Sequence, residues 1–475
     1  MFRFRIRKQS LLLLLGIVCF AHGNSTLPEV STSIIPQIIT TDACNMALVS
    51  VYESKNARQV KCTCSSVDVE CGHLDIEELP KLISFPKKIV FANFKGNKIS
   101  NLNSDTFYNG RDILKLDLSY NRIDFISVDA FKAFKSLITL DLSHNRIWNL
   151  PAKAFQGMTQ LKKLDLSFND VINVFPDIFI PLTELRELIL ESNPIQELEP
   201  KQFLALHKLE ALDLKATRLS VIPDHLFIFT PKLKILSLAE NLLTEIPTEA
   251  LKVLDHLRVL DLSGNRVDII KEEAFMGLRG LTTLYLERMS ELRKIEKYAF
   301  GDMIHLQELQ CSYNFLLSEI DERAFIKKST NEKVPLVQLF LRQNKLETLS
   351  KDLLHWNDAV ELHLLDNPMH CDCNIEWMVH QKLKNDFQRH VRCASPSHLE
   401  NIALKDLKDY ELTCGLTISE VILIACSVVI ALLILILIVA FLVWKRSYAG
   451  YRKPYFGYGQ KHNDADIDYN AEDGM

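Results

Sequence analysis

No stretch of this chain gathers basic residues into the kind of block that marks a nucleic-acid binder. Its 475 residues carry 55 Lys and Arg against 60 Asp and Glu, a formal charge of −5 and a pI near 6.3. Catalytic signatures are missing too: there is no G-x-S-x-G, H-E-x-x-H or P-loop string, and the 14 histidines are scattered with none paired at ligand spacing. These gaps argue against an enzyme, and no cofactor, metal site or nucleic-acid partner is expected. Long apolar runs are few, but the two present are informative. The first follows Arg3, Arg5, Arg7 and Lys8, runs from Leu11 to Phe20 and ends at the small residues Ala21 and Gly23. It is short for a bilayer span and is expected to be a secretory signal peptide over 1–23.

The second run, Val421 to Trp444, holds 24 residues without a charge. At 1.5 Å per residue a helix of that length covers ~36 Å, enough to cross the hydrocarbon core with some tilt. Lys445, Arg446, Arg452 and Lys453 follow it, which places the C-terminal side in the cytoplasm by the positive-inside rule. The expected topology is therefore a single-pass type I protein of the plasma membrane, with its N-terminal portion extracellular. The tail 445–475 is too short for a kinase or another folded signalling domain.

Cysteines fit that compartment. Of 11, Cys19 falls in the signal segment and Cys426 in the apolar run. Cys44, Cys62, Cys64 and Cys71 form one cluster, and Cys371, Cys373, Cys393 and Cys414 a second. Even counts in an exported chain favour disulfides, and C-x-C spacing suits structural zinc poorly. The remaining Cys311 stands where leucine stands elsewhere and reads as a small buried hydrophobe.

Between the clusters, asparagine recurs in steps of 24: Asn97, Asn121, Asn145, Asn169 and Asn193, then Asn241 and Asn265, with Thr217 at the skipped position. Met289, Asn314, Asn344 and Asn367 continue the series at slightly altered steps. The frame around them is L-x-x-L-x-L-x-x-N-x-L, as in "LKKLDLSFNDV". An aromatic lies ten residues beyond most of these asparagines: Phe107, Phe131, Phe155, Phe179, Phe203, Phe227 and Phe275, then Phe300 and Phe325 after one-residue insertions. The pattern resembles the extracellular leucine-rich repeat family, over about Cys44 to Cys414. The physics of the spacing agrees. In L-x-L, leucines point inward and the x residues outward from a short strand, and stacked turns make a parallel sheet. Each Asn sits where the chain leaves the strand, its amide free to bond otherwise orphaned backbone groups. The phenylalanines fill the returning arc, and successive turns bury what one turn cannot.

The implied fold class is α/β: a leucine-rich repeat solenoid, a curved parallel sheet of about twelve repeats with disulfide caps, plus one transmembrane helix. The expected divisions are a flexible lead 24–43, an N-terminal cap 44–80, repeats 81–368, a C-terminal cap 369–414, a spacer 415–420, the span 421–444 and the tail 445–475. Asn367-Pro368, Cys371-Asp372-Cys373, Trp377, Cys393, Pro396 and Leu404 resemble the family's C-terminal cap, although Met369 and Asn401 replace a usual tryptophan and glycine. That resemblance implies pairing of Cys371 with Cys393 and Cys373 with Cys414. By the same resemblance Cys44 pairs with Cys64 and Cys62 with Cys71, although the wide spacing of Cys44 and Cys62 departs from the family.

Asp117, Asp141, Asp165, Asp213 and Asp261 occupy the middle of L-x-L and suggest a carboxylate row. The same residue belongs to the usual form of the repeat, so a structural role explains it better than calcium. The row still makes that half of the concave face acidic and suited to a basic partner. Twelve strands offer a surface of roughly 55 Å, a size that suits protein ligands. Tyr120, His144, Phe168, Tyr285, Arg288 and Tyr313 are the expected ligand-binding residues, Tyr and Arg being favoured anchors. Met289 and the insertion Lys327 to Pro335 make that region irregular: a functional loop or a tolerated one. Asn24 heads a glycosylation sequon. In the tail, Tyr448, Tyr451, Tyr455, Tyr458 and Tyr469 suit a phosphotyrosine adaptor, and Asp473-Gly474-Met475 a PDZ domain. The sum is a cell-surface recognition or adhesion protein binding an extracellular protein. The alternatives are an accessory subunit of a channel or larger receptor in the same membrane, or an innate immune co-receptor.

Overall fold

Short strands three residues long recur once per repeat, from Phe91–Asn93 to Glu361–His363, and each pairs in parallel with the next. They are short because only one x-L-x triplet, a buried leucine between two outward residues, pairs before the chain bends away. Leucine is the middle residue from Leu116 to Leu362, so the register aligns one buried column through Leu140, Leu164, Leu188 and onward. The computed structural model describes residues 41–42, 44, 47–50, 58–357, 360–412, 414 and 418–449. The expected signal segment, Asn24, and the tail beyond Ala449 lie outside the described residues. Twelve repeat strands are joined by Asp68–Glu70 and the antiparallel Thr63–Cys64, giving a sheet of 14.

The asparagines make the bends possible. Asn145 is buried; its Oδ1 accepts the Ile123 N–H at 2.9 Å, and its Nδ2 donates to Leu118 and Leu142 carbonyls, both at 3.0 Å. One carboxamide thus satisfies groups in its own turn and in the turn before it. Thr217 does part of this work, its hydroxyl donating to the Leu214 carbonyl at 2.7 Å, while Asn241 accepts the Thr217 and Leu219 N–H groups. Met289 supplies no polar atom, and Asn314 covers for it by accepting the Met289 N–H at 2.7 Å and donating to the Leu286 carbonyl at 2.9 Å.

The returning arcs are turns, with helix confined to single-turn pieces at Pro176–Ile178 and Thr248–Leu251. Phenylalanine rings fill them in a buried column, with centroids 6.1 Å apart for Phe131–Phe155, 6.3 Å for Phe179–Phe203 and 5.7 Å for Phe275–Phe300. Leu251 takes the ring's place in one turn and is equally buried. The insertion is held down: Lys327 N–H donates to the Glu332 carbonyl, and Lys328 pairs with Glu272 at 2.7 Å and with Glu273 at 3.4 Å. Those contacts fold the loop back onto an earlier arc.

Disulfides link Cys44 to Cys64 and Cys62 to Cys71 at one end, and Cys371 to Cys393 and Cys373 to Cys414 at the other. In the C-terminal cap Trp377 stacks on Trp356 with centroids 4.9 Å apart and donates Nε1–H to the Leu349 carbonyl. Cys311 is buried, and burial pushes its thiol up to about 12, far from a reactive thiolate. After Cys414 comes a helix, Ile418–Ala449, of which Val421–Arg446 is long and apolar enough to cross a membrane.

Candidate recognition surface

Outward-facing residues of the strands and the bends beside them form the surface available to a partner. The aspartates of the L-x-L triplets are largely committed to the fold. Asp117, Asp141 and Asp165 each accept from the N–H and hydroxyl of the serine two residues on, at 2.6 to 3.0 Å. Burial raises the pKa of Asp165 and Asp261, and carries Asp213 up to about 6. Lys115 and Lys163 lie in the same strands, and Lys215 pairs with Glu191 at 3.1 Å. Two of the five aspartate strands carry a lysine, the other three Thr139, Ala211 and Val259, so cations relieve the expected acidic row only in part.

Tyr120, His144 and Phe168 stand just past the strands, immediately before the bend asparagines. Their backbones lie in the left-handed region with φ of 54–55°, where Gly96 and Gly264 serve in other turns. That geometry turns three side chains, one repeat apart, into register. Tyr120 stacks on His144 with centroids 4.1 Å apart and planes 16° from parallel; His144 stacks on Phe168 at 4.3 Å and 6°. Lys95 closes one end, its Nζ 4.9 Å from the Tyr120 centroid. The far end faces Ser192, the next residue in this column, which is too small to continue it. Tyr120 is 50% exposed and Phe168 42%, so the ladder shows its edges to solvent.

The other three expected residues are separate from this ladder. Arg288 lies over the Tyr313 ring, 5.8 Å from its centroid. Tyr285 belongs to the strand Thr283–Tyr285 and is half-buried, its phenol raised by burial and then by Glu308. The spacing alone does not disclose these groupings, since it gives every repeat the same bend position.

Two sets of residues were not among the expectations. Near the ladder's repeats, Phe125, Trp148 and Phe175 are all at least half exposed. At the C-terminal end of the sheet Phe340 and His363 stack with centroids 4.3 Å apart, and Arg342 Nη2 donates to His363 Nδ1 at 2.9 Å. Burial, then the guanidinium of Arg342, holds His363 below its ordinary pKa and so in the neutral form that can accept. Its signal in the sequence is the pair of aromatic x residues in "LFLRQN" and "LHLLDN". Among the described residues, no group of three or more His, Cys, Asp or Glu is placed to hold a metal ion.

Known proteins share this architecture. A chain in the octameric complex of Latrophilin 3 (Lec, Olf), Unc5D (Ig, Ig2, TSP1) and FLRT2 (LRR) superposes with a TM-score of 0.57 at 20% identity, covering 74% of this chain and 99% of that one. The TLR13–ssRNA13 complex gives a TM-score of 0.50 at 21% identity over 71% of this chain, which spans 56% of that larger chain. At such identities the likeness is one of fold. The leucine-rich repeat profile matches residues 93–147, 135–195, 183–238 and 231–289. Repeat sequence, asparagine-bonded bends and stacked parallel strands coincide over residues 93–289, and that stretch is a leucine-rich repeat array.

Proposed function

We propose that this protein is a non-enzymatic recognition or adhesion receptor of the plasma membrane that binds an extracellular protein. The observation that carries this reading is the Tyr120–His144–Phe168 ladder. Three rings are ordered before any ligand arrives, so docking on them costs little side-chain entropy. Aromatic surfaces of this kind supply a large share of binding energy in protein interfaces. Arg288 with Tyr313, and Tyr285, offer further anchors along the array. The tail is proposed to reach a PDZ or phosphotyrosine adaptor, and Asn24 to carry a glycan.

A second reading, a lateral accessory subunit of a channel or larger receptor, draws support from the short interval between Cys414 and the helix start at Ile418. Such a spacer leaves the repeats little reach away from their own bilayer. Cell aggregation and a screen of secreted ectodomains separate the two readings. Cells displaying a tail-deleted chain cluster, or capture an ectodomain, under the adhesion reading. Absence of both, with co-purification of another membrane protein, gives the lateral role instead. The Tyr120→Ala, Phe168→Ala double variant is expected to lower binding of a captured ectodomain by at least about tenfold.

A further inference from the structure

Each repeat passes two backbone N–H groups forward to the next. Leu118 and Tyr120 donate to the Asp141 and Ser143 carbonyls, at 2.8 and 2.9 Å; Leu341 and Gln343 donate to His363 and Leu365 at the same distances. The groups that continue this series after the last strand, Glu361–His363, are the N–H of Leu364 and the N–H of Asp366. The rung before them is closed by a side chain. Asn385 accepts the Leu362 N–H at 3.0 Å and donates to the Leu362 carbonyl at 2.7 Å, standing in for a peptide unit. Leu364 and Asp366 receive no such substitute: among the described residues, neither N–H has a hydrogen-bond partner. A cleft of about 420 Å3 opens at this edge, lined among others by Arg342, His363, Leu364, Leu365, Asn385 and Asp386.

The charge in the cleft is uneven. Asp386 is paired with Arg389, and Glu361 with Lys384 at 2.7 Å; Asp366, outside the cleft lining, is exposed and its carboxylate accepts from Gln343 Nε2 at 3.3 Å. Arg342 has no carboxylate within 4.0 Å among the described residues. One of its five N–H bonds goes to His363 Nδ1, which fixes the guanidinium beside the open edge. Apolar contact is available at Leu365, which is partly exposed.

We propose that this cleft binds an extended acidic segment of a protein partner, which adds to the sheet as its next strand. Carbonyl oxygens two residues apart accept from Leu364 and Asp366, as His363 and Leu365 do from the turn before. A carboxylate side chain of the same segment pairs with Arg342, and His363 acts as a positioning residue for that guanidinium. Main-chain bonds at a sheet edge give affinity that is indifferent to sequence, and the charge pair supplies the selectivity. The site lies at the other end of the array from the aromatic ladder and does not depend on it.

The test uses the full chain in detergent micelles and amide hydrogen exchange read by mass spectrometry. Two probes are titrated: an acetylated, amidated pentapeptide alternating valine with glutamate, and its lysine counterpart. Slower exchange in the segment covering 360–368 is expected with the first probe only. The Arg342→Gln variant is expected to weaken its binding about tenfold, the scale of one charge-assisted bond, with an unchanged unfolding midpoint. No protection of that segment at saturating probe overturns the strand addition. Equal binding of the lysine peptide, or indifference to Arg342→Gln, overturns the acidic class.

Discussion

A single asparagine carboxamide serves two turns at once, which makes it the residue on which each bend depends. Replacing Asn145 with alanine strands the Ile123 N–H and removes donors from the Leu118 and Leu142 carbonyls, all buried. The expected loss is about 3 kcal/mol or more in chemical unfolding. Asn145→Thr should recover part of it, as the Thr217 hydroxyl does in its own turn. Asp213 makes a different prediction, one of pH. Folding raises its pKa from 3.8 to about 6, chiefly by burial and then by Glu191, so the folded chain holds the proton more tightly. Its contribution to stability is full below pH 3.8 and is lost as pH climbs through about 6, on the order of 2–3 kcal/mol in all. Asp213→Asn keeps an oxygen for the Lys215 N–H without the charge. Its thermal midpoint should exceed that of the parent at pH 7.5, and the two should converge at pH 4. Aspartate in L-x-L was legible as a structural residue because the pattern repeats. Its depressed acidity was not, because burial depends on how far each bend closes over the carboxyl.

At the scale of one turn, strand and returning arc are held by different means: backbone bonds on one side, ring packing on the other. Phe300 lies between Phe275 and Phe325, with centroids at 5.7 and 4.8 Å, and is fully buried. Phe300→Ala is expected to cost about 3–5 kcal/mol. Because each turn touches only its neighbours, the damage should show as faster hydrogen exchange in those three turns while distant repeats keep theirs. Strand positions, bend asparagines and the phenylalanine column were readable from the sequence since each answers to a fixed period. The tied-down insertion was not. Nothing in "KKSTNEKVP" announces that Lys328 reaches Glu272 and Glu273, more than fifty residues earlier, because that contact follows from how the arcs stack.

Across the whole molecule, the sequence disclosed the number of repeats, the cysteine-bearing ends and the apolar helix, all of them features of period or composition. It did not disclose which outward residues meet. Tyr120, His144 and Phe168 become a stack, while Arg288 and Tyr285 do not join it, since contact across repeats depends on which neighbours happen to be flat and unbranched. The ladder variant tests the surface as a unit: loss of partner binding should come without a change in unfolding midpoint, since Tyr120 and Phe168 lie outside the buried column. The unequal spacing of the two sides has a consequence for that surface. Backbone pairing sets strands about 4.8 Å apart, whereas the phenylalanine rings opposite stand 5.7 to 6.3 Å apart where they pair from Phe131 to Phe300. Those turns are thus wedges, while the Phe300–Phe325 pair at 4.8 Å adds none, and the local radius of the arc is set by residues no ligand touches. Trimming Phe131 or Phe203 to leucine would thin its wedge and open the arc there, changing the distance between two far anchors while leaving both intact.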